Sequence, residues 1–106
     1  MQHSRLEDMV KGWFVGSFSP AAYQTGACEV AVKYYQAGDI ESEHFHKVAT
    51  EVTLVLSGRV EMFGRVWTTG DIITIEPGEK TNFLALTDAI NVVVKVPGAL
   101  NDKYNS

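Results

Sequence analysis

Short apolar runs alternate with turn-forming clusters along the chain, and no apolar periodicity is long enough for a substantial helix. From Cys28 to Gln36, Val30, Val32 and Tyr34 share one parity while Ala31, Lys33 and Tyr35 share the other, as the two faces of a strand require. Ala37-Gly38-Asp39 then turns. Further strands are predicted over Glu43–Lys47, Glu51–Leu56, Val60–Phe63, Val66–Thr68, Ile72–Ile75, Thr81–Leu86 and Ile90–Val96, each closed by Gly, Ser, Asp or Pro. The pair around Gly64-Arg65 has the form of a hairpin. Glu51–Leu56 carries apolar or β-branched residues on both parities, which predicts a strand buried on both faces.

The ends are less regular. Residues 1–12 are polar and mixed, with a short helical turn expected around Arg5–Val10, and read as an arm. Trp13–Val15 is a first short β-like run, and Gly16–Gly26 a loop rich in Ser, Pro, Ala and Gly. Beyond Pro97-Gly98 the tail ALNDKYNS reads as a surface segment. Eight or nine short strands in 106 residues imply one all-β domain, a sandwich or barrel. Its core spans about 28–97, after an N-terminal arm 1–27 and before a short C-terminal tail.

Composition narrows the function classes. The net charge of −4 and a pI near 5.2 speak against a phosphate-backbone binder, so no nucleic acid partner is expected. A single cysteine, Cys28, forms no internal disulfide and reads as a small buried hydrophobe. No apolar run approaches the ~18 residues of a membrane span, and MQHSRLEDMVKGW lacks an apolar signal core. A cytoplasmic location is therefore expected, with no membrane partner. A homodimer is also expected, because pairing sheets hides edge strands.

Candidate chemistry concentrates in GDIESEHFHKVATEVTLVLSG, from Gly38 to Gly58. His44 and His46 are two apart in a strand and point to one face, with Phe45 on the other. Glu51 follows the connection KVAT and is placed on the adjacent strand, with Thr53 and Val55 on its face. Two imidazoles and a carboxylate suit a divalent transition metal with open positions. An H-x-H pair on its own fits two surface histidines equally well. Lys33 and Tyr35 share a strand face and are candidate acid–base groups at the barrel mouth, against a solvated lysine and a packed tyrosine. Phe83 shares parity with Thr81 and is a candidate pocket wall. Lys95 interrupts an apolar strand, and either serves a substrate or snorkels.

The spacing G-x5-H-x-H-x4-E-x6-G, with Gly38, His44, His46, Glu51 and Gly58 at its fixed positions, resembles the first motif of the cupin superfamily. Gly70-Asp71 and Pro77-Gly78 resemble the start of the second motif. That motif usually continues with His and then Asn, and here those positions hold Thr81 and Ala85. The likeness covers roughly Val30 to Val96. It implies an RmlC-like jelly-roll β-barrel holding Fe, Mn, Ni, Zn or Co through His44, His46 and Glu51, with no fourth protein ligand. It further implies a metal-dependent enzyme acting on a small oxygen-rich metabolite, a sugar or carboxylate, by oxygenase or isomerase/lyase chemistry. Thr81 and Phe83 are then substrate-side positions, and Lys33 and Tyr35 the acid–base candidates. The alternative is a non-catalytic sugar- or metabolite-binding module or sensor, which the missing fourth ligand favours. Cupin chemistry is too varied for the fold to name the reaction.

Overall fold

The computed structural model describes residues 1–105. Its strands are β1 (Trp13–Val15), β2 (Glu29–Tyr35), β3 (Ile40–His46), β4 (Thr50–Ser57), β5 (Arg59–Met62), β6 (Arg65–Thr68), β7 (Ile72–Ile75), β8 (Thr81–Ala85), β9 (Ala89–Val96) and β10 (Lys103–Asn105). A three-residue 3-10 turn, Leu6–Asp8, precedes them inside the predicted helical stretch. The strands form two antiparallel five-stranded sheets, ordered β1-β2-β9-β4-β7 and β10-β3-β8-β5-β6. No helix among the described residues is long and apolar enough to cross a membrane.

The alternation read from the sequence is the alternation of the sandwich. On β2, Glu29 and Ala31 are buried, with Lys33 and Tyr35 on the same inner face, whereas Tyr34 is exposed. On β8, Thr81, Phe83 and Ala85 are buried and Asn82 is exposed. The inner faces meet in an apolar core of Val55, Val60, Met62, Ile73, Ile75 and Phe83, closed by Ala85 and Ala89, with Tyr35 and Trp67 packed against it. Full burial of each such side chain contributes on the order of 1.5–3 kcal/mol.

Four expectations need correction. β4 is not buried on both faces: Thr53 and Val55 are 2% and 0% exposed, but Leu56 is 50% exposed. It sits between β9 and β7 within its sheet, and its second face has no covering layer. The hairpin turn falls at Phe63-Gly64 rather than Gly64-Arg65. Both turn residues have positive φ, 54° and 66°, and Met62 pairs with Arg65, the geometry of a two-residue type I′ turn. Cys28 lies just before β2 and is only half-buried.

The fourth correction concerns the ends. Residues 13–15 add the edge strand β1 to one sheet, and the tail adds β10 to the other, pairing Lys103 with His46, Tyr104 with Phe45 and Asn105 with His44. The β-like run read at Trp13–Val15 is β1, whereas β10 lies in the tail read as a surface segment, because period-two patterning is hard to see in three residues. Tyr104 stacks on Phe45 at 5.6 Å between ring centroids, and Asp102 is buried.

Candidate functional site

Consecutive strands β3 and β4 belong to opposite sheets, so His44 and His46 face Glu51 across the sandwich rather than from an adjacent strand of one sheet. The crossover is the short Lys47–Ala49 link. The Asp102 carboxylate clamps it, accepting hydrogen bonds from the amides of Lys47, Val48 and Ala49 at 2.9–3.2 Å. Burial pushes this carboxyl up, but those three amides and the nearby His46 ring outweigh it and hold Asp102 below the usual carboxylate range.

A cavity of about 290 Å³ opens between the sheets beside the apolar core. One wall carries Lys33, Tyr35, Thr53, Asn91, Val93 and Lys95 from β2, β4 and β9. The other carries Glu41, His44, His46, Met62, Phe83 and Lys103 from β3, β5, β8 and β10. Glu51 on β4 and Trp13 on β1 belong to the first wall, and Lys11 completes the lining. Tyr35 and Phe83 meet across the sandwich with ring centroids 4.4 Å apart.

The two histidines are held in the same chemical form. His44 Nδ1 lies 2.9 Å from the Ser42 carbonyl oxygen, and His46 Nδ1 lies 2.9 Å from that of Asp102. A carbonyl only accepts, so each Nδ1 carries the proton, and a neutral ring then turns its lone pair outward at Nε2. This is how backbone carbonyls orient histidines that ligate metals. The His46 side chain is 5% exposed. Its Nε2 lies 3.3 Å from Glu51 Oε1 but is misaligned for a hydrogen bond, which leaves it buried without a hydrogen-bond partner.

Thr53 donates its hydroxyl to Glu51 Oε2 at 2.8 Å. Burial pushes the Glu51 carboxyl up, but the His46 ring in its protonated form, the Thr53 hydroxyl and the Lys95 charge prevail and hold it below the usual range. Glu51 is therefore an anion at neutral pH. The donor chemistry of His44, His46 and Glu51 fits a divalent transition metal. The His44 and His46 rings are edge to face with centroids 5.7 Å apart. Among the described residues, no three side chains from His, Cys, Asp and Glu are placed so that together they could hold a metal ion.

The other sequence candidates separate. Lys33, Tyr35 and Phe83 line the cavity; Thr81 does not. Thr81 lies opposite His44 in the β3–β8 register, but its buried hydroxyl accepts from the Phe63 amide at 2.9 Å and donates to the Asn82 carbonyl at 2.8 Å. It serves the β5–β6 turn. Burial, aided by the charges of Glu41, Glu51 and Asp39, pushes the Tyr35 phenol far above its ordinary value, so it stays protonated. Burial also lowers the Lys33 ammonium. Glu41 opposes that shift, while Lys95, Lys103 and Lys11 reinforce it.

Asn91, Trp13 and Asp102 were not legible as site residues. Asn91 and Lys95 lie four apart on the inner face of β9, so the polar break in INVVVKV was an available signal for both. Trp13 reaches the cavity because β1 pairs with β2, and Asp102 because β10, which it precedes, pairs with β3.

Comparison with known proteins starts from a negative result: no family model and no curated protein matches the chain. Solved structures do. A conserved protein with a double-stranded β-helix domain from Klebsiella pneumoniae superposes with a TM-score of 0.64 and 27% identity, covering 70% of this chain and 66% of that one. A cupin protein from Bacteroides fragilis gives 0.58 and 20% identity over 76% and 75% of the two chains. The chain has the cupin fold. The DMSP lyase DddQ from Ruegeria pomeroyi shares it, with a TM-score of 0.70 and 19% identity over 89% of this chain and 49% of the lyase. The chain thus spans about half of that lyase and just under two thirds of the Klebsiella protein. Within the cupin fold, Gly38–Gly58 runs from the turn before β3, along β3 and β4, to the turn after β4.

Proposed function

We propose that this cupin binds a divalent transition metal through His44, His46 and Glu51 and acts on a small oxygen-rich metabolite in the cavity between the sheets. The observation that carries the reading is the buried, unpartnered His46 Nε2 facing the ionised Glu51 inside that cavity. A buried polar atom left without a partner costs about 1–3 kcal/mol, and a bound ion would satisfy it. When bound, such an ion supplies Lewis acidity or redox chemistry to an oxygen of the substrate. The chain's own residues supply the rest. Tyr35, held protonated, offers its hydroxyl as a hydrogen-bond donor to a substrate in the cavity. Lys33, with its ammonium lowered, holds its proton less tightly and is the acid–base group of the cavity. Phe83 and Met62 keep the cavity floor apolar. The likeness to a lyase of the same fold supports an enzyme without indicating the reaction.

A second reading, a metabolite-binding module without chemistry, is favoured by Thr81, whose hydroxyl is consumed by the β5–β6 turn where a fourth ligand would stand.

Elemental analysis of untagged protein tests the first reading. Stoichiometric Fe, Mn, Ni, Zn or Co is expected, falling at least tenfold in both His46→Ala and Glu51→Ala. Metal-free protein whose thermal stability does not change on adding any of these ions overturns it. Metal-dependent turnover of small acids or sugars, lost in Tyr35→Phe with the metal retained, separates the enzyme from the binding module.

A further inference from the structure

We propose that the cavity takes a small hydroxylated organic anion, its charged group held by Lys33 and Lys95 and a hydroxyl placed on Asn91. The inference deepens the small-molecule reading above and rests on it. Two observations independent of the metal ligands carry it.

The first is charge. The protein as a whole has a net charge of −4, yet four of its nine lysines and arginines, Lys11, Lys33, Lys95 and Lys103, line this one cavity against two carboxylates, Glu41 and Glu51. Lys103 is partly spoken for by Glu41, 4.0 Å away. Lys33 and Lys95 have no carboxylate within ion-pair distance among the described residues. Both rest on one indole: the two Nζ atoms lie 5.1 and 4.9 Å from the Trp13 ring centroid. Cation–π contact with a shared ring holds both ammonium groups beside the same part of the cavity lining. An anion within reach of both offsets their mutual repulsion.

The second is an unpaired amide. Asn91 is 2% exposed, lines the cavity, and has no hydrogen-bond partner at Oδ1. It is the register partner of Lys33 across β2 and β9, so the two side chains stand together on the inner sheet face. Lys95 lies four residues along the same face. A buried amide oxygen calls for a donor, and a hydroxyl meets that need whichever way the amide is turned, because it both donates and accepts. A volume of about 290 Å³ is at the small end of ligand sites, which suits a metabolite of a few carbons.

Calorimetric titration with five probes tests the assignment at low ionic strength: lactate, propionate, glycerol 3-phosphate, ethyl phosphate and glycerol. Lactate or glycerol 3-phosphate, or both, should bind saturably, and the better of the two identifies the anionic group as carboxylate or phosphate. Lactate should bind more tightly than propionate if carboxylate is preferred, and glycerol should bind at least tenfold more weakly than either hydroxylated anion. Lys33→Met and Lys95→Met should each weaken the better probe at least tenfold with the fold intact by circular dichroism. Asn91→Leu should abolish the preference for a hydroxyl. Wild-type discrimination between lactate and propionate, or glycerol 3-phosphate and ethyl phosphate, provides that readout should Asn91→Leu not fold. Binding of neither anion, glycerol as tight as both, or unchanged affinity in the folded lysine variants overturns the proposal. Metal content measured in Lys33→Met separates the two readings: it should be unchanged, and anion binding that survives in protein unable to take up metal leaves this inference standing while the metal reading falls.

Discussion

Replacing Asp102 with alanine should lower the unfolding free energy by about 3 kcal/mol, because it removes charge-assisted hydrogen bonds to three consecutive amides. Each such bond is worth ~1.5–3 kcal/mol, but Lys47 and Val48 are exposed enough for water to replace part of the loss. Ala49 is 1% exposed, and its amide would be left unsatisfied. The same residue presents its carbonyl to His46 Nδ1, so the clamp joins the tail to the crossover that faces His46 toward Glu51. Metal uptake should therefore weaken alongside stability. Urea denaturation checks the first effect; a loss below about 1 kcal/mol would mean that water substitutes for the carboxylate.

The same carboxylate makes a signed pH prediction. Its folded pKa lies below its unfolded value of about 3.9, so its contribution is fully present above that pH and is lost as pH falls through the folded value. Wild-type stability should thus fall as pH drops below ~4, and Asp102→Asn, which does not titrate, should fall less steeply. Parallel slopes for the two proteins between pH 2 and 5 would refute the assignment.

Gly58→Ala should be the other severe change, costing about 4 kcal/mol, whereas Gly38→Ala should cost about 1–2 kcal/mol. Both glycines have φ +93°, a conformation that side chains rarely adopt. They differ in what a Cβ would meet. At Gly38 there is open space; at Gly58 it would sit 2.3 Å from the Asp88 carbonyl oxygen and 2.9 Å from Ala89 Cα, backbone atoms that cannot swing aside. Because the φ penalty is common to both, the difference between the variants measures the contact alone. Equal losses in chemical denaturation would show that the turn after β4 moves away from β9 without cost.

These residues also mark how far the chain could be read in advance. His44, His46 and Glu51 were legible because spacing and chemistry coincide within the fifteen residues from His44 to Gly58, and Lys33, Tyr35 and Phe83 because strand parity assigns a face without any knowledge of neighbours. Parity also placed Thr81 inward, and it is inward; what parity does not convey is that the Phe63 amide would claim its hydroxyl. Asp102 could not be found, since a lone acid in a polar tail looks like any solvated carboxylate until the tail pairs with β3.

The sequence by itself determined the class of fold, most strand positions and their inner faces, and the residues of one candidate metal site, because alternation and turn chemistry act between near neighbours. Only the tertiary structure decided which strands share a sheet. That placed β3 opposite β4 instead of beside it, brought Trp13 under two lysines, and set Asn91 against Lys33. The reason is that sheet order and register come from long-range pairing, in which Glu29, Lys95 and Glu51, far apart along the chain, lie side by side across three strands. Local patterning supplies a face for each side chain; the pairing of distant strands supplies its neighbours, and the chemistry of the cavity depends on those neighbours.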